Sequence, residues 1–237
     1  MSELWCVDLG RIGYSSCLSI QYKLAKLRAE GLIEDTLLLL EHDPVITFGR
    51  SGGEESLLVP IEKIKEAGIE IFYTDRGGDA TYHGPGQLVG YPIFNLGQHG
   101  KDVHLFLRNI ERSVMDCLSD FGISSQAVPG YTGVWVGDEK ICSIGIAVRR
   151  WISYHGFALN VSPNFDHWAL LHPCGLVGRR VTSIERLLGK PISMQSVKDV
   201  IVSRFAQVFG IKPTQIDKKT LFDRIAAEEH EYEQWAS

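Results

Sequence analysis

Three stretches of this 237-residue chain carry residue types and spacings that suit chemistry better than packing. In Leu171-His172-Pro173-Cys174-Gly175-Leu176 a cysteine stands between a proline that fixes the backbone on entry and a glycine that frees the exit. As a thiolate it is a nucleophile, and exposed backbone N–H groups beside it can receive a developing oxyanion. The plainer alternative is a structural loop cysteine. His83, His155 and His172 are candidate partners for the sulfur, though nothing in the spacing brings any of them to it.

The second stretch, Gly137-Asp138-Glu139-Lys140-Ile141-Cys142-Ser143-Ile144-Gly145, puts Lys140 at the inner edge of a turn, entering an apolar strand. A lysine there ordinarily snorkels to water. Partly desolvated, it loses basicity and can exchange protons near neutral pH. Ser143 and Gly145 leave room for a thin substrate, whereas Cys142, inside the apolar run, reads as core. The third stretch is Arg76-Gly77-Gly78-Asp79-Ala80-Thr81-Tyr82-His83-Gly84-Pro85-Gly86-Gln87. Its glycines let backbone pass close to a ligand, and Arg76, Tyr82 and His83 can bind or steer polar groups. A surface turn is the alternative. A nucleotide phosphate loop is excluded, because the chain contains no G-x-x-x-x-G-K followed by Ser or Thr.

The elements that must position these residues follow from periodicity. Leu4–Leu9 reads as a strand. Tyr14–Glu30 reads as a helix stopped by Gly31. Thr36–Glu41 is a buried strand, broken by Pro44 before Val45–Phe48, and Pro60 opens a short helix that ends at Gly68. Ile69–Tyr73 runs into the glycine-rich loop and Leu88–Phe94 leaves it. Asp102–Phe121 is the clearest helix, with Asp102 as its N-cap. Val134–Val136 and Ile141–Val148 form a hairpin about Gly137-Asp138-Glu139, followed by a strand at Ile152–Val161. Helices at Ser183–Leu188, Val197–Phe209 and Leu221–Tyr232 complete the chain. Strands arriving in hairpins predict an α+β fold with a mixed, largely antiparallel sheet.

The composition, 44% hydrophobic and 22% charged, is that of a globular protein with a proper core. A net charge of -5 argues against an extended nucleic-acid surface, although Arg149, Arg150, Arg179 and Arg180 can supply a local basic patch. No secretory signal and no membrane span is legible. Five cysteines without a C-x-x-C pair give no support to a disulfide framework or a zinc site, so a reducing cytoplasm is expected.

Taken together, these segments resemble the lipoyl(octanoyl) transferase family. The matching stretches are Glu41-His42-x-Pro44-Val45-x-Thr47-x-Gly49-Arg50, the Arg76–Gln87 string, and Gly133-Val134-Trp135-Val136 leading to Lys140-Ile141-x-Ser143-Ile144-Gly145. His155-Gly156-Phe157-Ala158-Leu159-Asn160 and Pro173-Cys174-Gly175 complete them, in family order. The resemblance implies a central sheet flanked by helices, similar to the catalytic domain of biotin and lipoate protein ligases. Residues 1–215 would form the acyltransferase domain and 216–237 a helical extension of it. It implies transfer of an octanoyl group from octanoyl-acyl carrier protein to a lysine of lipoyl domains in 2-oxo-acid dehydrogenases and of the glycine cleavage H protein. By position, Cys174 matches the thioester-forming nucleophile and Lys140 its proton-handling partner. The substrate-binding stretches match Arg76, Gly77, Gly78, Asp79, Ala80, Thr81, Tyr82 and His83, then Ser143, Ile144 and Gly145, then Gly156, Phe157 and Ala158. No cofactor, metal, nucleic acid or membrane is implied. The chain departs from the family pattern at Ser162–Trp168 and at His172.

That chemistry is coherent. Exchange between two thioesters is nearly isoenergetic and needs no ATP. A cysteine of ordinary pKa near 8.5 is mostly protonated at neutral pH, and a nearby Lys140 ammonium stabilises its thiolate. Ile144, Phe157 and Leu159 are expected to line a narrow tunnel, with ordinary sheet packing as the alternative. The rivals are an ATP-dependent lipoate ligase on the same fold, a cysteine thioesterase and a non-catalytic acyl-binding module.

Overall fold

The computed structural model describes residues 3–171 and 180–236, with side chains through residue 227. Cys174, His172 and Arg179 therefore lie outside the described residues. The first strand, β1 (Glu3–Ile12), leads into α1 (Tyr14–Glu30), which stops where Gly31 takes a left-handed turn at φ 75°. Then come β2 (Asp35–His42), β3 (Val45–Phe48), α2 (Ile61–Glu66), β4 (Glu70–Tyr73), β5 (Ala80–His83) and β6 (Gln87–Ile93). Next is α3 (Val103–Asp120), whose cap Asp102 accepts the backbone N–H groups of His104 and Leu105. After it come β7 (Gln126–Val128), β8 (Tyr131–Val136), β9 (Glu139–Arg149), β10 (Ile152–Asn160) and the single turn α4 (Phe165–Trp168). The chain closes with β11 (Arg180–Val181), α5 (Ile184–Leu188), α6 (Met194–Phe209), β12 (Lys212–Gln215) and α7 (Lys218–Ala236).

Among the described residues the large sheet runs β12-β1-β2-β6-β10-β9-β8-β7, with β11 paired to β9. β1 is parallel to β2 and β12, and β11 to β9; the other neighbours are antiparallel, so the mixed, largely antiparallel sheet is observed. A second sheet, β4-β3-β5, stands apart from it. Strand alternation divides the large sheet's side chains. Leu37, Leu39, Leu88, Cys142, Ile144, Ile146, Phe157 and Leu159 join one cluster with α3 and α6. Leu38, Leu40, Val89, Tyr91, Ala147 and Ala158 join a second with α1 and with Leu221 and Ile225 of α7. Ile46, Phe48, Ala80, Tyr82 and Trp168 build a third around the small sheet.

The sequence read Arg76–Gln87 as loop throughout, yet Ala80–His83 is a fully buried strand paired with β3. The alternation of Ala80 and Tyr82 against Thr81 and His83 is genuine. Four residues between glycines are too few for periodicity to reveal it. The three-residue β7, the four-residue β12 and α4 escaped for the same reason. The postulated four-arginine patch is split. Arg180 pairs with Glu139 at one end of β9 while Arg149 stands at the other, ten residues and about 33 Å away.

Candidate active site

The glycine-rich segment is fastened to the small sheet by its own arginine. Arg76 is buried, and its Nη2 donates to the Thr47 carbonyl (2.5 Å), the Thr47 hydroxyl (2.9 Å) and the Asp79 carbonyl (2.7 Å). The backbone of residues 49–51 adds three bonds, from Gly49 N–H to Asp79, Arg50 N–H to Arg76 and Ser51 N–H to Gly78. On its other side the Gly77 N–H donates to the Ile146 carbonyl at 2.9 Å, tying the segment to β9. A Cβ on Gly145 would lie 2.6 Å from the Gly77 carbonyl oxygen, so only glycine permits this crossing.

Under that crossing is a pocket enclosing about 450 Å³, mouth included. Gly77, Gly78 and Asp79 cover it, Thr81 and His83 of β5 enter from one side, and Tyr14 and Tyr91 from the α1 side. Its sheet wall is Ser143–Gly145 of β9 and His155–Ala158 of β10, with Gly145 opposite Gly156 and Ser143 opposite Ala158 in register. Small residues on one face of two adjacent strands create the space. Ile144 and Phe157 belong to the wall, but their side chains pack in the cluster on the far face, and Leu159 is not on the wall at all. The expected tunnel lining is thus corrected: Ser143, Gly145, Gly156 and Ala158 open the channel. A Cβ on Gly156 would lie 2.1 Å from the Gly90 carbonyl oxygen, so the β6–β10 approach depends on glycine as well.

The pocket's polar groups are deeply buried. His42 bonds the Ile12 carbonyl through Nδ1 and the Tyr91 hydroxyl through Nε2, both at 2.8 Å. The carbonyl can only accept, so Nδ1 carries the proton and Nε2 accepts from Tyr91. Burial pushes His42 down to about 4, so the ring is neutral at pH 7. Burial, with His42 nearby, holds His83 well below the usual imidazole range. Its Nδ1 meets Gln87 Oε1 at 2.8 Å; Gln87 Nε2 donates to Asn160 Oδ1 and Asn160 Nδ2 to the Thr182 carbonyl. Thr182 N–H in turn bonds the Lys140 carbonyl, so a relay joins His83 to the backbone of Lys140.

His155 is exceptional. Its φ of 55° is left-handed, a conformation that costs a residue with a Cβ about 1–3 kcal/mol. Nε2 lies 2.9 Å from Asp75 Oδ1, and Asp75 also accepts the Tyr154 hydroxyl. Burial lowers the His155 pKa and outweighs the Asp75 bond that raises it. Its buried Nδ1 has no hydrogen-bond partner among the described residues, and neither has Thr81 Oγ1, which lines the same pocket from β5.

Lys140 is buried rather than snorkelling. Its Nζ lies 5.3 Å from the centre of the Trp135 ring, directly across the β8–β9 ladder. A Cβ on Gly133 would come within 2.6 Å of Lys140 Cε, so glycine there admits the lysine stem. Gly133 N–H donates to Glu111 Oε1 at 3.1 Å, and Arg108 pairs with the other oxygen of that buried carboxylate. Cys142 is buried in its strand, and burial raises its thiol pKa strongly. It is core, as its surroundings in the sequence indicated.

Of the expected binding residues, Arg76, Gly77, Gly78, Asp79, Thr81, His83 and the stretches 143–145 and 156–158 come together around the pocket. Ala80 and Tyr82 do not. Their side chains turn into the small-sheet core, where the Tyr82 hydroxyl bonds His167 Nδ1 at 2.8 Å. Sequence reasoning missed Tyr14, Tyr91, Asp75 and Glu111. Only Glu111 left a signal, a carboxylate interrupting the apolar stripe Leu107, Val114, Leu118 of α3.

Residues 13–206 match the family described as the lipoyl protein ligase A/B catalytic domain. The chain is 41% identical to an octanoyltransferase of Desulforamulus reducens, over 95% of this chain and 100% of that protein. It is 48% identical to an octanoyltransferase of Caldicellulosiruptor saccharolyticus, over 90% and 92%. Among solved structures it is similar in fold to a bipartite lipoate protein ligase from Thermoplasma acidophilum, studied with its E2 lipoyl domain. The TM-score is 0.74 at 19% identity, over 96% of this chain and 92% of that one. No helix among the described residues is long and apolar enough to cross a membrane.

Proposed function

We propose, from the premise that this chain belongs to the lipoyl protein ligase A/B catalytic domain family, among its octanoyltransferases, that it works through a thioester on Cys174. The donor is octanoyl-acyl carrier protein. The acceptor is the lipoyl-domain lysine of 2-oxo-acid dehydrogenases and the equivalent lysine of the glycine cleavage H protein. The Cys174 thiolate attacks the carrier thioester, the carbon–sulfur bond to the carrier breaks, and the departing thiolate takes a proton from Lys140. The acceptor amine then attacks the Cys174 thioester, gives a proton to the neutral Lys140 and expels the Cys174 thiolate. One base serves both half-reactions. That matters because only roughly one lysine amine in a few thousand is neutral at pH 7. Residues 1–215 carry this chemistry, residues 216–237 extend the same domain, and the reaction takes place in the cytoplasm.

The observation that carries the reading is the pocket opened by Ser143 and Gly145 of β9, the strand that also bears the buried Lys140, and by Gly156 and Ala158 of β10 beside it. It is walled by small side chains and covered by the Arg76–Asp79 segment, which suits a thin alkyl chain shielded from water. Intact-mass measurement after mixing with octanoyl-carrier protein tests it. The native chain gains one octanoyl group without ATP, and Cys174→Ser gains none. Lys140→Gln lowers kcat by about 10²–10⁴-fold and alters its pH profile. Full transfer by Cys174→Ser would end the proposal.

A further inference from the structure

The pocket is more polar than an alkyl chain requires, and its polarity is unevenly placed. Cys174 lies outside the described residues, but the chain on its C-terminal side returns as β11, whose Val181 pairs with Lys140. In the acyl-transfer reading above, the reacting end is then the end of the pocket nearer Lys140, at Ser143 and Ala158. The register Asn160–Gln87, Ala158–Val89 runs from that end towards Gly156, and His155 comes last. The four steps along β10 from Asn160 to Gly156 span about 13 Å, whereas the seven carbon–carbon bonds of an extended octanoyl chain rise about 9 Å.

At the far end His155 presents a buried ring nitrogen with no partner among the described residues, held there by a left-handed backbone and by Asp75. The Thr81 hydroxyl, also buried and without a partner among the described residues, lines the same pocket from β5. An alkyl chain long enough to reach these atoms must strip them of any other partner and give nothing back. An eight-carbon chain stops short.

Resting on the acyl-transfer reading above, we infer that His155 and Thr81 form a polar stop at the blind end of the channel and set the chain length the enzyme accepts. His155 is a specificity residue, fixed in place by Asp75, and takes no part in proton transfer. The strained φ is the cost of aiming the imidazole across the channel end when the strand's own alternation would aim it elsewhere.

The test is kcat/KM with octanoyl-, decanoyl- and dodecanoyl-carrier protein for the wild type, His155→Gly and Thr81→Val. Glycine suits the left-handed φ, so His155→Gly removes the ring without adding strain, and Thr81→Val keeps the side-chain shape. Both variants raise the dodecanoyl-to-octanoyl ratio, His155→Gly by about tenfold or more. A merely structural role for either residue lowers all three rates together and leaves the ratio unmoved. An unmoved ratio in both overturns the inference while leaving octanoyl transfer intact. A wild type that transfers none of the three chains overturns the acyl-transfer reading itself.

Discussion

Two buried polar clusters sit on this scaffold, and one is closed while the other is open. The closed cluster centres on Asp35 at the start of β2. Arg28 Nε reaches its carboxylate at 2.6 Å, His99 Nε2 bonds its other oxygen, and the Asn95 N–H adds a third bond at 2.9 Å. Arg28 also donates to Gln98. Burial pushes the Asp35 pKa up, but these bonds outweigh it and hold the carboxyl below its ordinary value. The open cluster surrounds the pocket: His42, His83 and His155 are all held below the usual imidazole range by burial, and two lining atoms have no partner among the described residues. The closed cluster is completed within the chain and fastens α1 to the loop before α3. The open one is left to be completed by what enters it.

The comparison breaks most sharply at Arg28. Arg28→Met leaves the buried Asp35 carboxylate without its cation and lowers unfolding free energy by about 3–5 kcal/mol, read from urea denaturation. A loss under about 1 kcal/mol would mean that Asp35 is held without Arg28, and the cluster is not closed in the sense argued.

Acid separates the clusters next. His42 is near 4 in the folded chain against 6.5 unfolded, so its contribution is complete above pH 6.5 and is lost as the pH falls towards 4. For His42 alone that is about 3 kcal/mol, and His83 and His155 act in the same direction. Asp35, also lowered, contributes above its unfolded value and loses that only at more acid pH, as the pH falls through its folded pKa. Melting temperature should therefore fall between pH 6.5 and 4 in the native chain. It should fall less in His42→Gln. A flat melting curve over that window would show that the buried imidazoles carry protons.

How much of this was legible in the sequence differs between the two clusters for a physical reason. The strands β9 and β10 that form the pocket's sheet wall and the glycine-rich Arg76–Asp79 stretch were readable because glycine runs and β-branched alternation are local signals. So were Lys140's entry into an apolar strand and the core position of Cys142. The sheet order, the crossing of Gly77 over β9 and the unpaired state of His155 Nδ1 depend on pairings far apart in the chain, which no local pattern encodes. The meeting of Asp35, Arg28 and His99 is non-local in the same way. Tyr82 lies off the pocket because it alternates with Thr81 and His83 on β5, a four-residue strand too short to be read from periodicity.

The open cluster also depends on its cover. Gly145→Ala places a methyl group 2.6 Å from the Gly77 carbonyl and must lift the Arg76–Asp79 segment. The expected outcome is a loss of about 100-fold in octanoyl-transfer kcat/KM, since displacing a positioned wall by 1 Å has that order of effect. Stability should change by less than in Arg28→Met. Unchanged kinetics would mean that the cover moves freely and does not shape the channel.

The smallest effect is the most discriminating, because it compares two hydroxyls in the same fold. Ser153 Oγ donates to the Pro92 carbonyl at 2.7 Å and accepts the Phe94 N–H at 3.0 Å, a fully used buried group. Thr81 Oγ1 is equally buried and has no hydrogen-bond partner among the described residues. Ser153→Ala strands a backbone N–H and lowers stability by about 1–2 kcal/mol. Thr81→Val removes an atom that already lacks a partner, so in the free enzyme it is neutral or stabilising by up to about 1 kcal/mol. Opposite signs in the two urea midpoints are the signature of one polar group serving the fold and another kept for the occupant. Equal losses would show that Thr81 is satisfied in solution, and the open cluster would then be as closed as the one around Asp35.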